Sequence, residues 1–137
     1  QKHVGPQMQA PPPYSAAKHK GKPLYAYARE GVFIEKAAKP IEIYSLDFLH
    51  YDPATSQLDV EVACSRGTYV RVLAADIGRA LGCGAHLIGL RRTASGAFAV
   101  SDSLPGAELF AETGLQLLLN HRRSIDEALG VVEVPSL

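Results

Sequence analysis

The stretch CSRGTYVR, Cys64 to Arg71, gathers more chemistry than any other in these 137 residues. Arg66 and Arg71 carry guanidinium groups, which can grip a phosphate or a carboxylate through two parallel N–H donors. Tyr69 offers a flat face on which a nucleobase can stack. The segment lies where an alternating strand pattern gives way to a helical one. A helix starting there presents free backbone N–H groups, a ready place for an anion. The plainer alternative is a surface corner with two solvated arginines and a core tyrosine.

Other candidates are weaker. No Gly-x-Ser-x-Gly, phosphate-loop or His-Glu-x-x-His pattern occurs. His3, His19, His50, His86 and His121 are scattered singly, without a ligand three or four residues on, so no metal is expected. Asp52-Pro53-Ala54 could be a catalytic aspartate loop. Asp and Pro are also favoured in turns, and this pair separates two strand patterns. Cys64 and Cys83 form no Cys-x-x-Cys and are expected as small buried apolar residues, not a disulfide or zinc site.

The elements that must hold the corner can be traced from periodicity. Residues 40–51 and 57–64 read as two strands of an antiparallel hairpin, with Leu58, Val60 and Val62 alternating against Asp59 and Glu61. Ile41 and Ile43 fall out of phase with Leu46 and Phe48, which predicts a bulge near Tyr44–Ser45. Beyond the corner, Val70, Leu73, Ala74, Ile77 and Leu81 recur at helical spacing, and Gly82 and Gly84 end the helix. Residues 85–94 read as an interior strand, with a short partner in residues 97–103. Helices follow over about 105–113 and in LQLLLN, and Ser124-Ile-Asp-Glu127 is a capping box closed by Gly130. Upstream, residues 1–21 read as an exposed Pro- and Lys-rich arm, and residues 23–30 as a short helix stopped at Gly31. Strands mixed with helices, without regular alternation, give an α+β class.

Composition narrows the function. At 47% apolar residues the chain can bury a core. No run of about 18 apolar residues could span a membrane. No charged-then-apolar leader is seen, so a cytoplasmic protein is expected, and the initial Gln suggests a piece of a longer one. The formal net charge of +0 hides segregation. Residues 1–40 hold seven Lys/Arg against two acids, and residues 64–92 hold five Arg against one acid. Residues 41–63 hold five acids and no base, and residues 93–137 hold six acids against two Arg. Two basic blocks on a neutral chain can form one face for a polyanion, or they can be chance clusters on solvated faces.

Three segments, PPPYSAAKHKGKPLYAYAREG, CSRGTYVRVLAADIGRALGCGAH and LIGLRR, resemble in order and spacing the bacterial tRNA pseudouridine synthase B (TruB) family. The resemblance runs from about Gln7 to Gly130. It implies the pseudouridine synthase fold, a mixed and mainly antiparallel sheet flanked by helices. It implies isomerisation of the T-loop uridine (U55) of tRNA to pseudouridine, without metal or organic cofactor, by an enzyme expected to be a monomer. A catalytic aspartate attacks the nucleotide, the glycosidic bond breaks, the base turns, and a carbon–carbon bond forms. The target base flips out of its stack to reach the pocket.

The same resemblance assigns residues. Tyr69 matches the tyrosine that lines the base pocket, and Arg71 the arginine that pairs with the catalytic carboxylate. Leu90 matches a pocket-wall position. Residues 9–40 match a thumb-like insertion that pinches the RNA hairpin, where Lys18, Lys20 and Lys22 meet phosphates; Arg66 is expected on backbone phosphate. The family's aspartate lies in a Gly-x-x-Asp-Pro-x-Ala-x-Gly loop that these 137 residues do not contain, and Asp52 lacks its flanking glycines. The chain, 1–137, is therefore expected to be the later part of a catalytic domain, without the upstream aspartate segment or a C-terminal PUA domain, and inactive alone. The alternative is a non-catalytic RNA-binding module that retains the scaffold.

Overall fold

The computed structural model describes residues 2–130, so Glu133 of the last acidic block lies outside the described residues. The chain divides into two units, Gln1–Ile88 and Gly89–Leu137. Its sheets are antiparallel and alternate with helices, an α+β fold as expected.

The first unit is built on a three-stranded sheet of order β1-β4-β5. Strand β1 is Gly5–Gln9, β4 is Lys39–Asp52 and β5 is Gln57–Cys64. The β4–β5 register breaks between Ile43 and Ser45, where a bulge was expected, and again between Phe48 and His50. The first break has a clear purpose. Side chains alternate faces along a strand, so one extra residue brings Leu46 back to the side of Ile41 and Ile43. That side is covered by helix α2, Val70–Leu81, whose Leu73 forms the buried core with Ile41 and Ile43. Leu46, Val62, Cys64 and Ile77 pack around it.

Helix α2 ends as its sequence requires. Gly82 adopts the left-handed conformation. The N–H groups of Cys83 and Gly84 both donate to the Gly78 carbonyl, at 3.2 and 3.0 Å. This return folds the chain so tightly over Gly78 that a Cβ there would collide with the backbone of Gly84 and Ala85.

Between β1 and β4 lies a smaller body. Strands β2, Lys18–His19, and β3, Lys22–Pro23, form a hairpin whose turn has positive φ at both Lys20 and Gly21. Helix α1, Leu24–Arg29, follows directly. Its Leu24 is 2% exposed and Ala28 is also buried. The amides of Leu24 and Tyr25 donate to the carbonyls of Ala17 and Ser15, at 2.8 and 3.1 Å. The Pro-rich stretch is thereby bonded to the start of the helix.

The second unit has β6, Ala94–Ser95, paired with β7, Phe98–Ala99, then a 3₁₀ turn at Val100–Asp102. Three short helices follow: α3, Gly106–Leu109; α4, Gly114–Asn120; and α5, Ile125–Leu129. The capping box at α5 is present in full, with Gly130 in the left-handed conformation.

Four expectations need correction. The arm at 1–21 is not simply exposed, because Gly5–Gln9 pairs along β4 and Gln9 and Ser15 are buried. Residues 85–94 do not form an interior strand; only Ala94 belongs to a strand, and Ile88 and Leu90 are exposed. Apolar residues on both sides suggested burial, but no described strand pairs with them. The helix expected over about 105–113 spans only Gly106–Leu109. Cys83 is exposed, since it sits in the turn after α2, whereas Cys64 is half-buried beside the core; both are free thiols.

Candidate functional site

The corner between β5 and α2 is assembled from three directions. Ser65 extends the β4–β5 ladder past the end of β5. Its N–H donates to the Glu42 carbonyl and its Oγ accepts from the Glu42 N–H, both at 2.8 Å. Gly67, with φ +88, then turns the chain, a conformation that side chains with a Cβ rarely adopt. Tyr69 is the N-cap of α2, in extended backbone at φ −97 and ψ 100, and no side chain of its own caps the helix.

The partner that holds Tyr69 comes from far away in sequence. Gln9, 6% exposed at the end of β1, donates from Nε2 to the Tyr69 carbonyl at 3.2 Å and accepts the Tyr69 N–H on Oε1 at 2.7 Å. The expected free N–H at this helix start is thus taken at Tyr69. Sequence reasoning missed Gln9. Nothing in a lone Gln beside Ala-Pro-Pro-Pro signals a bond to a residue 60 positions on.

Arg71, exposed in the first turn of α2, donates from Nη2 to the carbonyl of Tyr14. A guanidinium has five donors, so this bond leaves others for a carboxylate. Both corner residues, Tyr69 and Arg71, are therefore bonded to the segment that opens the 9–40 excursion. Arg66 is exposed. Leu90 belongs to the second unit and is 71% exposed. The Oγ of Ser15, buried beside Tyr14 in sequence, has no hydrogen-bond partner.

The three lysines of the hairpin are not equivalent. Lys18 and Lys20 are exposed. Lys22 Nζ is bonded to Glu30 Oε1 at 2.6 Å and sits 4.7 Å from the centre of the Tyr27 ring. Tyr27 in turn donates to the His19 carbonyl at 3.2 Å and meets the His19 ring edge-on. Arg29 lies over the Tyr25 ring at 5.3 Å. Basic and aromatic groups thus alternate over the hairpin and helix, an arrangement suited to phosphate and base contacts.

Asp52 is occupied by the turn. Its Oδ1 accepts the Ala54 N–H at 2.9 Å and its Oδ2 the Thr55 hydroxyl at 2.6 Å. The Thr55 hydroxyl, then the Ala54 N–H, hold its carboxyl below the usual carboxylate range. Asp52 pairs with Gln57 at the far end of the hairpin, whereas Ile43 pairs with Cys64 beside the corner. Nine residues of strand put them about 30 Å apart. Among the described residues no cluster of His, Cys, Asp or Glu could hold a metal ion, and no helix is long and apolar enough to cross a membrane.

Comparison with known proteins identifies the family. Residues 1–70 match the TruB family pseudouridylate synthase N-terminal domain, and residues 71–120 match the tRNA pseudouridylate synthase B C-terminal domain. The join falls in the first turn of α2, between Val70 and Arg71. A tRNA pseudouridine synthase B from Desulfotalea psychrophila is 44% identical over 97% of this chain and 53% of its own length. One from Nitrosococcus oceani is 49% identical over 85% of this chain and 38% of its own. One from Cupriavidus metallidurans is 56% identical over 64% and 28%. The chain thus spans about half, or less, of the length of these relatives. With two consecutive family domains matched over residues 1–120, the chain belongs to the TruB family of pseudouridylate synthases.

Proposed function

We propose that this chain is the later part of the catalytic domain of a tRNA pseudouridine synthase, with residues 9–40 as its RNA-gripping thumb. The substrate is the T-loop uridine (U55) in the T-arm of tRNA, and the working enzyme is a cytoplasmic monomer that uses no cofactor. Tyr69 faces the flipped base, Leu90 forms pocket wall, and Arg71 holds the catalytic carboxylate ionised and aimed. Lys18, Lys20, Lys22 and Arg66 take backbone phosphates. The observation that carries the reading is the corner itself: Tyr69 and Arg71 stand two residues apart at the start of α2, and both are bonded to the root of the thumb.

The acid comes from outside these 137 residues. Asp52 is followed by a proline but lacks the flanking glycines, and it spends both oxygens on its turn. The chain alone therefore binds T-arm RNA without turning it over.

The test is pseudouridine formation in a T-arm hairpin, by this chain alone and by the full-length protein that carries it. Only the full-length protein is expected to convert the uridine. Turnover by the chain alone would overturn the placement of the acid, and binding without turnover in both would leave an RNA-binding module. In the active protein, Arg71→Ala should slow the saturating rate by about a hundredfold while changing affinity little. Comparable losses in rate and affinity would make Arg71 a phosphate contact instead. Lys20→Ala should weaken binding and flatten its salt dependence by about one ion.

A further inference from the structure

We propose that Gln9 is a positioning residue for the base-facing corner, one that couples the neck of the thumb to Tyr69. The inference rests on the pseudouridine synthase reading and deepens it. Gln9 is the last residue of β1, and its backbone pairs with Lys39, the first residue of β4. These two residues form the neck from which residues 9–40 extend. The side chain of Gln9 runs the other way, into the protein, where it is 6% exposed.

Its carboxamide binds a single residue at both ends. Oε1 accepts the Tyr69 N–H at 2.7 Å, and Nε2 donates to the Tyr69 carbonyl at 3.2 Å. This is the exchange of bonds that two backbone residues make in an antiparallel sheet, with a side chain supplying one of the two backbones. Tyr69 needs such a partner. As N-cap it has left the strand, and its carbonyl already accepts the first helical bonds, from Val72 and Leu73. Its N–H is bonded to Gln9 and to neither ladder, so Gln9 restrains its dihedral angles from the N–H side. Those angles set where its ring points. Five residues past Gln9, the Tyr14 carbonyl receives Arg71. One short arm, 9–14, therefore holds both corner residues.

The choice of side chain is restrictive. Glutamate keeps an acceptor for the Tyr69 N–H and loses the donor. Methionine has similar length and loses both. Methionine leaves the Tyr69 N–H of a half-buried corner without its partner, which is costly. Glutamate instead sets a carboxylate oxygen against the Tyr69 carbonyl, which keeps its bonds from Val72 and Leu73.

The experiment compares Gln9→Met and Gln9→Glu in the full-length protein with a T-arm hairpin. It reads the single-turnover rate at saturation, the Kd, and amide hydrogen exchange at Tyr69, with Val62 as internal control. For Gln9→Met the rate should fall by about tenfold or more with Kd changed less than about twofold. Tyr69 should exchange faster and Val62 should not. Gln9→Glu should recover protection at Tyr69 and part of the rate. A normal saturating rate in Gln9→Met overturns the inference, even if Tyr69 exchanges faster, because the clamp would then hold structure without aiming chemistry. If Gln9→Met does not fold, Gln9→Glu decides: a loss of about threefold or more at unchanged Kd supports the inference, and a wild-type rate overturns it. Wild-type protein that leaves the uridine unmodified overturns the functional reading itself, a result distinct from an active wild type with indifferent Gln9 variants.

Discussion

The two units of this chain are stabilised in different ways. Residues 2–88 have a core, in which Ile41, Ile43 and Leu73 are buried and contacts reach across 30 residues of sequence. Residues 89–130 are held mainly by local devices: a two-residue hairpin, a 3₁₀ turn and a capping box. Among their described residues only Gly114 is buried, while Phe110, Leu115, Ile125 and Leu129 stand exposed. The corner that carries Tyr69 and Arg71 belongs to the first unit. A side chain that must be aimed is placed where long-range packing and hydrogen bonds can restrain it. Local capping stabilises a helix but does not specify what it faces.

Mutations can test that contrast. The largest effect should come from Leu73→Ala, which removes a side chain 2% exposed at the centre of the core. It should destabilise the first unit by about 2–5 kcal/mol. Amide exchange would accelerate at Ile43 and Val62 while protection in α5 stays as it was. Equal loss in α5 would show that the two units unfold together and would break the contrast.

A smaller effect is expected from Ser124→Ala. The Ser124 hydroxyl accepts the Glu127 N–H at 3.2 Å, and Glu127 Oε2 accepts the Ser124 N–H at 2.7 Å. Losing the cap should cost about 1 kcal/mol, confined to α5 and read as faster exchange at Glu127 and Ala128. Slower refolding or altered exchange at Ile43 would contradict the confinement.

The smallest effect is a pH response at the same helix. The bond from the Ser124 N–H, and then the Ser124 hydroxyl, hold the Glu127 carboxyl below its ordinary range. A depressed folded-state pKa means the folded form binds its proton less readily. The contribution is therefore complete above the unfolded carboxylate pKa and is lost as pH falls through the lower folded value. Protection in α5 should decline on acidification through that window, before the core amides respond. No decline would show that the capping bonds do not hold α5 in solution.

Much of the scaffold was legible in the sequence because it is periodic. Val70 to Leu81 kept helical spacing up to Gly82, the 57–64 alternation gave β5, and the phase slip after Ile43 gave the bulge. The capping box at Ser124 was equally plain. The failures at β1 and at Gln9 share a physical source, which is that pairing between distant residues leaves no local trace. Gly5–Gln9 contains Pro6 and two Gln and does not resemble a strand; it becomes one because β4 offers it an edge. Residues 85–93 show the reverse case, a largely apolar segment that no described strand pairs with. Of the site, the types at 66, 69 and 71 were evident from sequence. Gln9 was invisible, because its role lies in two hydrogen bonds across 60 residues and in no pattern.

The ion pair of Lys22 with Glu30 bears on how the proposed thumb would meet RNA. A lysine already matched by a carboxylate has fewer condensed ions to shed when a phosphate arrives, and it must first surrender its acid. Under the proposed function, Lys18 and Lys20 would then supply most of the electrostatic pull, while Lys22 ties the hairpin to the end of α1 through Glu30.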